Sequence, residues 1–568
     1  MNKKVLTSIF LSLVVALSSL SASKGDVTYD YIIVGNGTAG AVLARKLTDS
    51  GKKSVLVLEA GINQNNDPVV LNTGINLLFA DLTSLTYNPK YAETYSVAVF
   101  EPLEALVYSE GRGWGGSSKH NYMQVVRGTP AIYNEWAAIS GDNRWSYNNL
   151  LPMMLALENY TPCMTTANPA QRGVGGPISV TQTAPVNTDP LGLQLATHTG
   201  TPFPADINDY TEGLLGISAF QMFATATSPC TPGQRSFSSN EFLPPSIVTP
   251  TEMGGAGKGK RLLRIASNAY VNKIIFNGNK AIGVKFIYNN QPNKMLKAYG
   301  KQIILCAGSV NTPAILQRSG IGDPAVLGPL GIKVLVNNPN VGANLINQYG
   351  GNAIALATTN ASPFLQAFMS GYTNGTNPPL PSAFYAYPND TTRRIQIDAF
   401  QAGPGVVEML AFLLEPNSRG TVQIVDKNPL VQPNINLNMY SDGPVGTNGT
   451  DANLTVAAYY LIAQAVGGTG NMIFPSAAQF ASPEALLQAA MTASGITAES
   501  HIVATARMGT SPSTAVVDGN LNVFGVKNLM IADASVIPVL PDGNICFGVY
   551  LIALGAADIL GVPTPPAL

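Results

Sequence analysis

The sequence predicts an α/β protein with a doubly wound, Rossmann-like domain and a second, interrupted α+β domain built on an antiparallel sheet. Three observations lead to this prediction. Residues 29–61 have the pattern of a nucleotide-binding βαβ unit, and short strand-like runs occur in two separated later segments, 159–232 and 348–492. The chain of 568 residues is also long enough for two to four domains.

The βαβ unit is the most specific local pattern in the chain. It predicts a buried strand at Tyr31–Val34, a glycine-rich turn, a helix that ends at Gly51, and a second buried strand at Ser54–Leu58. Glu59 follows this second strand, where an acidic side chain can accept both hydroxyl hydrogens of a ribose. The unit indicates a dinucleotide site but does not by itself distinguish FAD from NAD.

The glycines of the turn have separate predicted roles. Gly35 permits the tight turn, Gly37 lets the backbone approach a pyrophosphate, and Gly40 lets the helix pack closely on the strand. Thr38 and Ala39 begin the helix, where the N-terminus favours a negative charge. These residues are the predicted pyrophosphate site.

Composition limits the function classes. The chain is 46% hydrophobic, contains 55 Gly and 40 Pro, and has 32 basic against 33 acidic residues. This is typical of a large, loop-rich globular protein, and the balanced charge provides no surface for a polyanion. No nucleic-acid partner is expected.

Residues 1–25 have the pattern of a secretory signal peptide. Lys3 and Lys4 precede an apolar run at Val5–Leu20, and small residues at Ser21 and Ser23 suit cleavage near position 23. The run is short for a membrane span, so an uncleaved N-terminal anchor is the alternative. We expect an exported protein with no other span. Export makes glycosylation of the Asn-x-Ser/Thr sites relevant: Asn159, Asn360, Asn374, Asn389, Asn448 and Asn453.

The four cysteines predict at most one disulfide and no metal site. Cys163 and Cys230 both lie in loop-like sequence and form the plausible pair, whereas Cys306 lies in an apolar run typical of a core strand. The spacing of the cysteines and histidines fits no metal-ligand pattern.

A second glycine-rich segment, GRGWGGSSKHN at 111–121, can bring backbone donors and small side chains against a flat ligand. Together with the first glycine turn it resembles the first signature of the glucose–methanol–choline (GMC) oxidoreductase family. Residues 134–152 and 308–322 resemble two further segments of that family, in the same order. The resemblance implies FAD, and it implies that this segment contacts it through Arg112, Gly115, Gly116, Ser117, His120 and Asn121.

The resemblance also implies an FAD-binding domain assembled from three parts of the chain. These are 26–158, 233–347 and 493–568, with the substrate domain formed by 159–232 and 348–492. Strand patterns at 264–265, Ala269–Phe276 and Lys280–Tyr288 predict a β-meander in the second part, with a hairpin turn at 277–279. Val271 is a candidate backbone contact to adenine.

The C-terminal part carries the residues that the resemblance places at the flavin ring. His501 and Asn544 match the family's catalytic pair, in which histidine can accept a hydroxyl proton near neutral pH. Asp533, Ala534 and Ile545 match positions that contact the cofactor. No thiol role is assigned to Cys546, and Gln348 departs from the family pattern, in which a histidine is common there.

His120 resembles the histidine of the choline-oxidase branch that bonds covalently to the flavin. Two alternatives stay open at this point: a covalent bond, or a histidine that packs beside the ring. The third histidine, His198, lies in loop-like sequence and is expected on the surface.

The predicted function is FAD-dependent oxidation of an alcohol by proton abstraction and hydride transfer to the flavin. The partners would be a small-molecule alcohol and an electron acceptor, oxygen or another, and the oligomeric state is open. One alternative is a hydroxynitrile-lyase-type member with structural FAD. The other is a structural, virion-associated flavoprotein of the same family.

Overall fold

The computed structural model of the chain describes twelve longer stretches and one isolated residue. These are residues 27–73, 87–100, 106–163, 167–183, 206–210, 216–218, 221–251, 254–289, 291, 294–356, 382–387, 390–403 and 406–562. The predicted signal peptide, His198, and the sequons at Asn360, Asn374 and Asn389 lie outside them.

The strands, in chain order, are β1 Thr28–Val34, β2 Ser54–Leu58, β3 Ala92–Ala98, β4 Leu106–Gly111, β5 Glu158–Thr161, β6 Ile178–Gln182, β7 Gly216–Ser218, β8 Gln221–Met222, β9 Ala224–Ser228, β10 Thr231–Arg235, β11 Val248–Thr251, β12 Gly254–Gly257, β13 Leu262–Ala266, β14 Ala269–Asn277, β15 Lys280–Tyr288, β16 Met295–Leu305, β17 Ile321–Gly322, β18 Val336–Asn337, β19 Tyr349–Leu356, β20 Ser382–Tyr387, β21 Asp390–Gly403, β22 Val406–Leu413, β23 Thr421–Gln423, β24 Asn434–Asn436, β25 Met472–Phe474, β26 Ile496–Ala498 and β27 Leu529–Ile531.

The α-helices, in chain order, are α1 Thr38–Thr48, α2 Pro68–Leu71, α3 Pro130–Ser140, α4 Tyr147–Leu157, α5 Ser238–Phe242, α6 Gly308–Arg318, α7 Pro324–Leu327, α8 Asp451–Ala465, α9 Pro483–Ala490 and α10 Cys546–Ile559. Single 3₁₀ turns add Gly116–Lys119, Asn143–Trp145, Thr469–Asn471, Ala477–Ala481 and Ala534–Val536.

The first sheet contains the predicted βαβ unit. Its order is β11-β12-β13-β2-β1-β16-β15-β14, with β27 beside β16. The central strands β13, β2, β1, β16 and β27 are parallel, and continuous apolar runs such as Ile32–Val34 and Val55–Leu58 bury them on both faces. The βαβ prediction and the fold class are confirmed.

One strand pairing differs from the predicted meander. β14 and β15 form the expected hairpin, with Gly278 at φ +58° in its turn. However, β13 pairs in parallel with β2 and not with β14. Alternation alone identifies a strand but not its partner, and β13 places its buried Leu263 and Ile265 beside the apolar β2.

The second large sheet is antiparallel, as predicted for the other domain. Its order is β25-β19-β22-β21-β20-β7, and β26 pairs with β19. A smaller sheet, β23-β24-β3-β4, adjoins its core cluster. Residues 62–110 have little periodicity and many Asn, Asp and Pro, which is typical of a long irregular segment, but that interpretation is wrong for β3 and β4, which pair there as antiparallel strands. The division into domain segments stays a prediction.

Covalent and apolar contacts complete the fold. The predicted disulfide Cys163–Cys230 is present, and Cys306 is buried in the core. The closing helix α10 is buried along almost its whole length. Of the helices in the described part of the chain, none has the length and apolar character needed to cross a bilayer.

Candidate active site

A deep cavity lies at the carboxyl ends of the parallel strands. Val34, Leu58 and Cys306 line it at the ends of β1, β2 and β16, and Asp533 lines it just beyond β27. The space free of protein atoms measures about 1800 Å³, counting the open mouth. This edge of an open α/β sheet is where ligands of such folds bind.

Close backbone contacts explain the first glycine turn. Gly35 has φ +98°, and a Cβ there would lie 2.3 Å from the Cys306 carbonyl oxygen. A Cβ on Gly40 would lie 2.0 Å from the Gly35 carbonyl oxygen, so α1 could not pack at its present distance from the turn. Gly40 therefore lets α1 pack closely against the turn that lines the cavity.

The residues at the start of α1 fit the pyrophosphate of a dinucleotide. The helix is N-capped by Gly37 without a side-chain cap, and its first turn holds no acidic residue. Gly37 meets Gly116 of the second glycine segment, where a Cβ would lie 2.7 Å from the Gly37 Cα. An uncapped helix N-terminus bordered by glycines leaves room and backbone dipoles for an anion.

Glu59, which is predicted to contact a ribose, also has a structural role. One carboxylate oxygen accepts the Asn36 N–H at 2.7 Å, and the other accepts those of Gly61 at 2.8 Å and Gly113 at 3.0 Å. The side chain thereby joins the two glycine segments, and it also lines the cavity. Each carboxylate oxygen has two lone pairs, so Oε2 can still accept a ribose hydroxyl.

Asp533 holds the backbone and hydroxyl groups at another wall of the cavity in place. Its Oδ2 accepts from the Gly308 N–H at 3.0 Å and the Thr312 hydroxyl at 2.6 Å, and its Oδ1 accepts from the N–H and hydroxyl of Ser535. Burial raises the pKa of this carboxyl. Asp533 thus positions the N-terminus of α6 and the turn at Ala534–Val536.

His501 is held in one tautomer by Gln348. The Gln348 Nε2 donates to the carbonyl of Gly543 at 3.1 Å and to those of Pro541 and Leu414 at 3.4 Å, which turns Oε1 towards the histidine. His501 Nδ1 lies 2.7 Å from that oxygen and must donate to it. The proton therefore resides on Nδ1, and the unprotonated Nε2 directs its lone pair into the cavity.

The backbone around His501 is held by the neighbouring residue Asn347. The His501 N–H donates to Asn347 Oδ1 at 3.0 Å, and Asn347 Nδ2 donates to the Glu499 carbonyl at 2.7 Å. The Glu499 N–H donates to the Gln348 carbonyl at 2.9 Å. Burial lowers the pKa of His501 to about 3, so its imidazole is neutral near pH 7.

Asn544 faces the free nitrogen of His501. Its Nδ2 lies 3.4 Å from His501 Nε2, and the lone pair on Nε2 requires the amide N–H₂, not the oxygen, on that side. The Asn544 Oδ1 is buried without a partner. A hydroxyl oxygen placed here could accept from Nδ2 while its hydrogen points at Nε2.

His120 lies on another wall of the same cavity. Its Nδ1 is 3.2 Å from the Ser117 carbonyl, which can only accept, so Nδ1 carries the proton. Its Nε2 lies 3.2 Å from the Ser109 hydroxyl. Burial lowers the pKa of His120 to about 3, so the ring is neutral and Nε2 keeps its lone pair.

The structure brings most predicted site residues together. Lining the cavity are Gly35, Gly37, Thr38, Ala39, Glu59, Arg112, Gly116, Ser117, His120, Asn121, Val271, His501, Asp533, Ala534, Asn544 and Ile545. Gly40 and Gly115 pack behind it, and a Cβ on Gly115 would lie 2.7 Å from the Phe237 ring. Cys546 also lines the cavity, and burial raises its pKa to about 12, which keeps the thiol protonated.

Several residues of the site were not predicted from the sequence, and three of them bear on its chemistry. Gln348 was treated only as a departure from a family pattern, although it orients His501. Glu110 and Glu499 line the cavity as buried acids, and burial raises the pKa of each to about 8. Glu499 stands two residues before His501 in sequence, which is the one signal that could have identified it. No group of three or more potential metal ligands occurs among the described residues.

Known proteins are similar to this chain over almost its whole length. A 5-(hydroxymethyl)furfural oxidase from Methylovorus sp. is 27% identical over 94% of this chain and 99% of its own. An oxygen-dependent choline dehydrogenase from Stenotrophomonas maltophilia is 27% identical over 95% and 96%. The crystal structure of a pyridoxine 4-oxidase from Mesorbium loti shares the fold, with a TM-score of 0.75 at 24% identity over 94% and 99% of the two chains.

The family follows from its sequence models. The N-terminal GMC oxidoreductase model matches residues 29–349 and the C-terminal one matches residues 416–553. The chain belongs to the GMC oxidoreductase family. This confirms FAD as the cofactor class and FAD-dependent alcohol oxidation as the activity class, and the lyase and virion-associated alternatives are not favoured.

Proposed function

We propose that this protein oxidises a small alcohol at the His501–Asn544 pair. The observation that carries the proposal is the free lone pair of His501 Nε2, fixed by Gln348 and facing Asn544 Nδ2 in the cavity. His501 accepts the hydroxyl proton and Asn544 donates to the hydroxyl oxygen. FAD, when bound, supplies the acceptor for the hydride that leaves the carbon.

The cofactor would be held by the residues that close the cavity. The uncapped start of α1 and the Gly37–Gly116 contact suit its pyrophosphate, and Glu59 suits its ribose. Val271 lines the cavity at a strand that suits a backbone contact to adenine. The names of the two curated relatives support an alcohol as substrate and oxygen as acceptor.

An anaerobic screen tests the proposal. Purified holoenzyme is mixed with alcohols, aldehydes and sugars while the flavin absorbance is followed, and oxygen is then admitted. An alcohol should bleach the flavin, and His501→Ala should slow this by about 10²- to 10⁴-fold while FAD stays bound. Near-normal reduction in His501→Ala would remove His501 as the base.

We further propose that His120 binds the flavin covalently through Nε2: an N–C bond would replace one C–H bond of the flavin 8α-methyl group, the hydrogen would leave as a proton, and its two electrons would reduce the flavin and pass on to the enzyme's electron acceptor. The Nδ1–H contact to Ser117 leaves this nitrogen unprotonated, and the low pKa of the buried ring keeps it so. After acid precipitation the yellow colour should stay with wild-type protein and pass into the supernatant for His120→Ala. A yellow supernatant from wild type contradicts the bond.

Export remains our proposal for localisation. The N-terminal pattern supports it, and so does the Cys163–Cys230 disulfide, because such bonds persist in oxidising compartments. Asn448 is exposed and could carry a glycan where the source organism glycosylates. N-terminal sequencing of the mature protein should find a start near residue 24, and an intact Met1 would contradict cleavage.

A further inference from the structure

The base of this site lacks a charged partner on its Nδ1 side. Gln348 is a neutral amide, so it fixes the tautomer of His501 but does not offset the positive charge that forms when Nε2 takes a proton. Burial of the ring disfavours that charge and lowers the pKa of His501 to about 3. A base this weak needs compensation from another direction.

Glu499 stands on the cavity side of the ring, where that compensation is needed. Its Oε2 lies 3.9 Å from His501 Nε2, and the side chain is only 16% exposed. The residue directly follows β26, and its N–H and carbonyl are bonded to Gln348 and Asn347. The same two residues hold His501, so the distance between carboxyl and imidazole is fixed by one hydrogen-bonded unit.

Among the described residues, two titratable groups face Glu499. Asp398 of β21 faces it and opposes its ionisation, while His501, neutral at rest, faces it from its own segment. The neighbouring Asn347, Gln348 and Asn544 side chains are neutral. Burial, followed by Asp398, raises the pKa of Glu499 to about 8.

We propose that Glu499 is a positioning residue for alcohol oxidation: its carboxylate stabilises the imidazolium that forms when His501 takes the substrate proton. The proposal rests on the function proposed above. In this step the O–H bond of the alcohol breaks, an N–H bond forms at Nε2, and the new positive charge lies beside the Glu499 carboxylate. FAD, when bound, would accept the hydride that leaves the carbon, and the C–O bond of the alcohol becomes the double bond of a carbonyl.

The arrangement predicts a pH dependence of known sign. Below about pH 8 Glu499 holds its own proton and gives little stabilisation, and above it the carboxylate is charged. The rate of flavin reduction should therefore rise through about pH 8 to a plateau. His501 itself contributes no such rise, because its low pKa keeps it neutral throughout this range.

The test compares holoenzyme variants in anaerobic stopped-flow experiments from pH 6 to 10. E499Q keeps the shape of the side chain and removes the charge; at pH 9.5 it should lower the limiting rate roughly ten- to a hundredfold. The loss should be small at pH 6, the half-saturating alcohol concentration should change little, and E499D should restore part of the rise. The matched control is E241Q, because Glu241 is another buried carboxyl with a raised pKa, about 7, that does not line the cavity. It should behave as wild type.

A second measurement needs no substrate. Titration of the flavin absorbance of resting holoenzyme should show a transition near pH 8 in wild type that is missing in E499Q. A wild-type pH profile in E499Q, an equal loss at every pH, or no such transition in wild type would overturn the proposal. Failure of every alcohol to bleach the wild-type flavin would instead count against the proposed function, and the titration would still decide on Glu499.

Discussion

Gln348→Met is the sharpest test of how the base is prepared. Methionine has a similar volume but neither accepts from Nδ1 nor donates to a carbonyl. The change leaves His501 Nδ1–H and the Gly543 carbonyl without the partners they have at 2.7 and 3.1 Å. Each unsatisfied buried group costs about 1–3 kcal/mol, so the unfolding free energy should fall by roughly 2–6 kcal/mol.

The effect on catalysis should exceed this loss of stability. Without the Gln348 acceptor the proton of the neutral imidazole is free to occupy Nε2, and a protonated Nε2 cannot take the hydroxyl proton. We expect the limiting rate of flavin reduction to fall by about 10²- to 10⁴-fold. FAD content should be unchanged, because Gln348 does not line the cavity.

The chain offers a matched control in Gln317→Met. Gln317 is an equally buried amide that donates to Val341 and Val422 carbonyls and accepts from the Ile424 N–H, away from the cavity. Its replacement should destabilise the protein comparably, as measured by denaturant unfolding, and leave flavin reduction near the wild-type rate. Equal slowing in both variants, or none in Gln348→Met, would refute the assignment of Gln348 as the residue that fixes the tautomer.

Three further predictions follow from single features. Cys163→Ser opens a disulfide that spans 67 residues, and the unfolding free energy measured under non-reducing conditions should fall by about 4 kcal/mol, whereas unchanged unfolding would mean that the bond is absent in solution. Burial lowers the pKa of His501 to about 3, below the value near 6.5 of an unfolded histidine, so the unfolded chain binds the proton first. Stability present above about pH 6.5 should therefore be lost as the pH falls towards 3, and the Tm of His501→Gln should fall less than that of wild type between pH 7 and pH 4.5; equal falls would contradict this. Glu59→Gln replaces one acceptor oxygen by a donor that faces a backbone N–H, which weakens the link between the two glycine segments. FAD should therefore dissociate roughly tenfold more readily in a fluorescence assay. Unchanged FAD retention would show that Glu59 does not hold the two segments in place.

The βαβ unit could be predicted from sequence because its determinants are local. The contact that requires glycine at Gly40 is made with Gly35, five residues away, and β1 pairs with β2 across one helix. The hairpin β3–β4 was missed for the opposite reason. Its strands follow sequence rich in Asn and Pro, and β3 is completed by β24, more than 300 residues later. Long-range pairing of this kind leaves little signal in a local pattern.

In the candidate site, too, some residues could be predicted from the sequence and others depend on long-range pairing. His501 and Asn544 could be placed through their resemblance to a family motif, and the structure puts them 3.4 Å apart across 43 residues. The role of Gln348 could not be predicted, because it depends on the pairing of β19 with β26, which brings residues 153 positions apart into contact. The same pairing sets Glu499 beside the ring, although nothing in its sequence neighbourhood indicates a cavity.

The choice of a neutral residue at position 348 has a consequence for the whole reaction. A carboxylate on Nδ1 would strengthen His501 as a base, because it would offset the charge of the imidazolium from the side away from the substrate. With an amide there, the imidazole stays neutral in its buried site and the charge formed at Nε2 can be offset only from the cavity. Glu499 and the reacting hydroxyl then share one side of the ring, so the protonation state of Glu499 becomes part of the local field in which the alcohol reacts. The rate of flavin reduction should therefore depend on pH through the ionisation of Glu499 and not through that of His501.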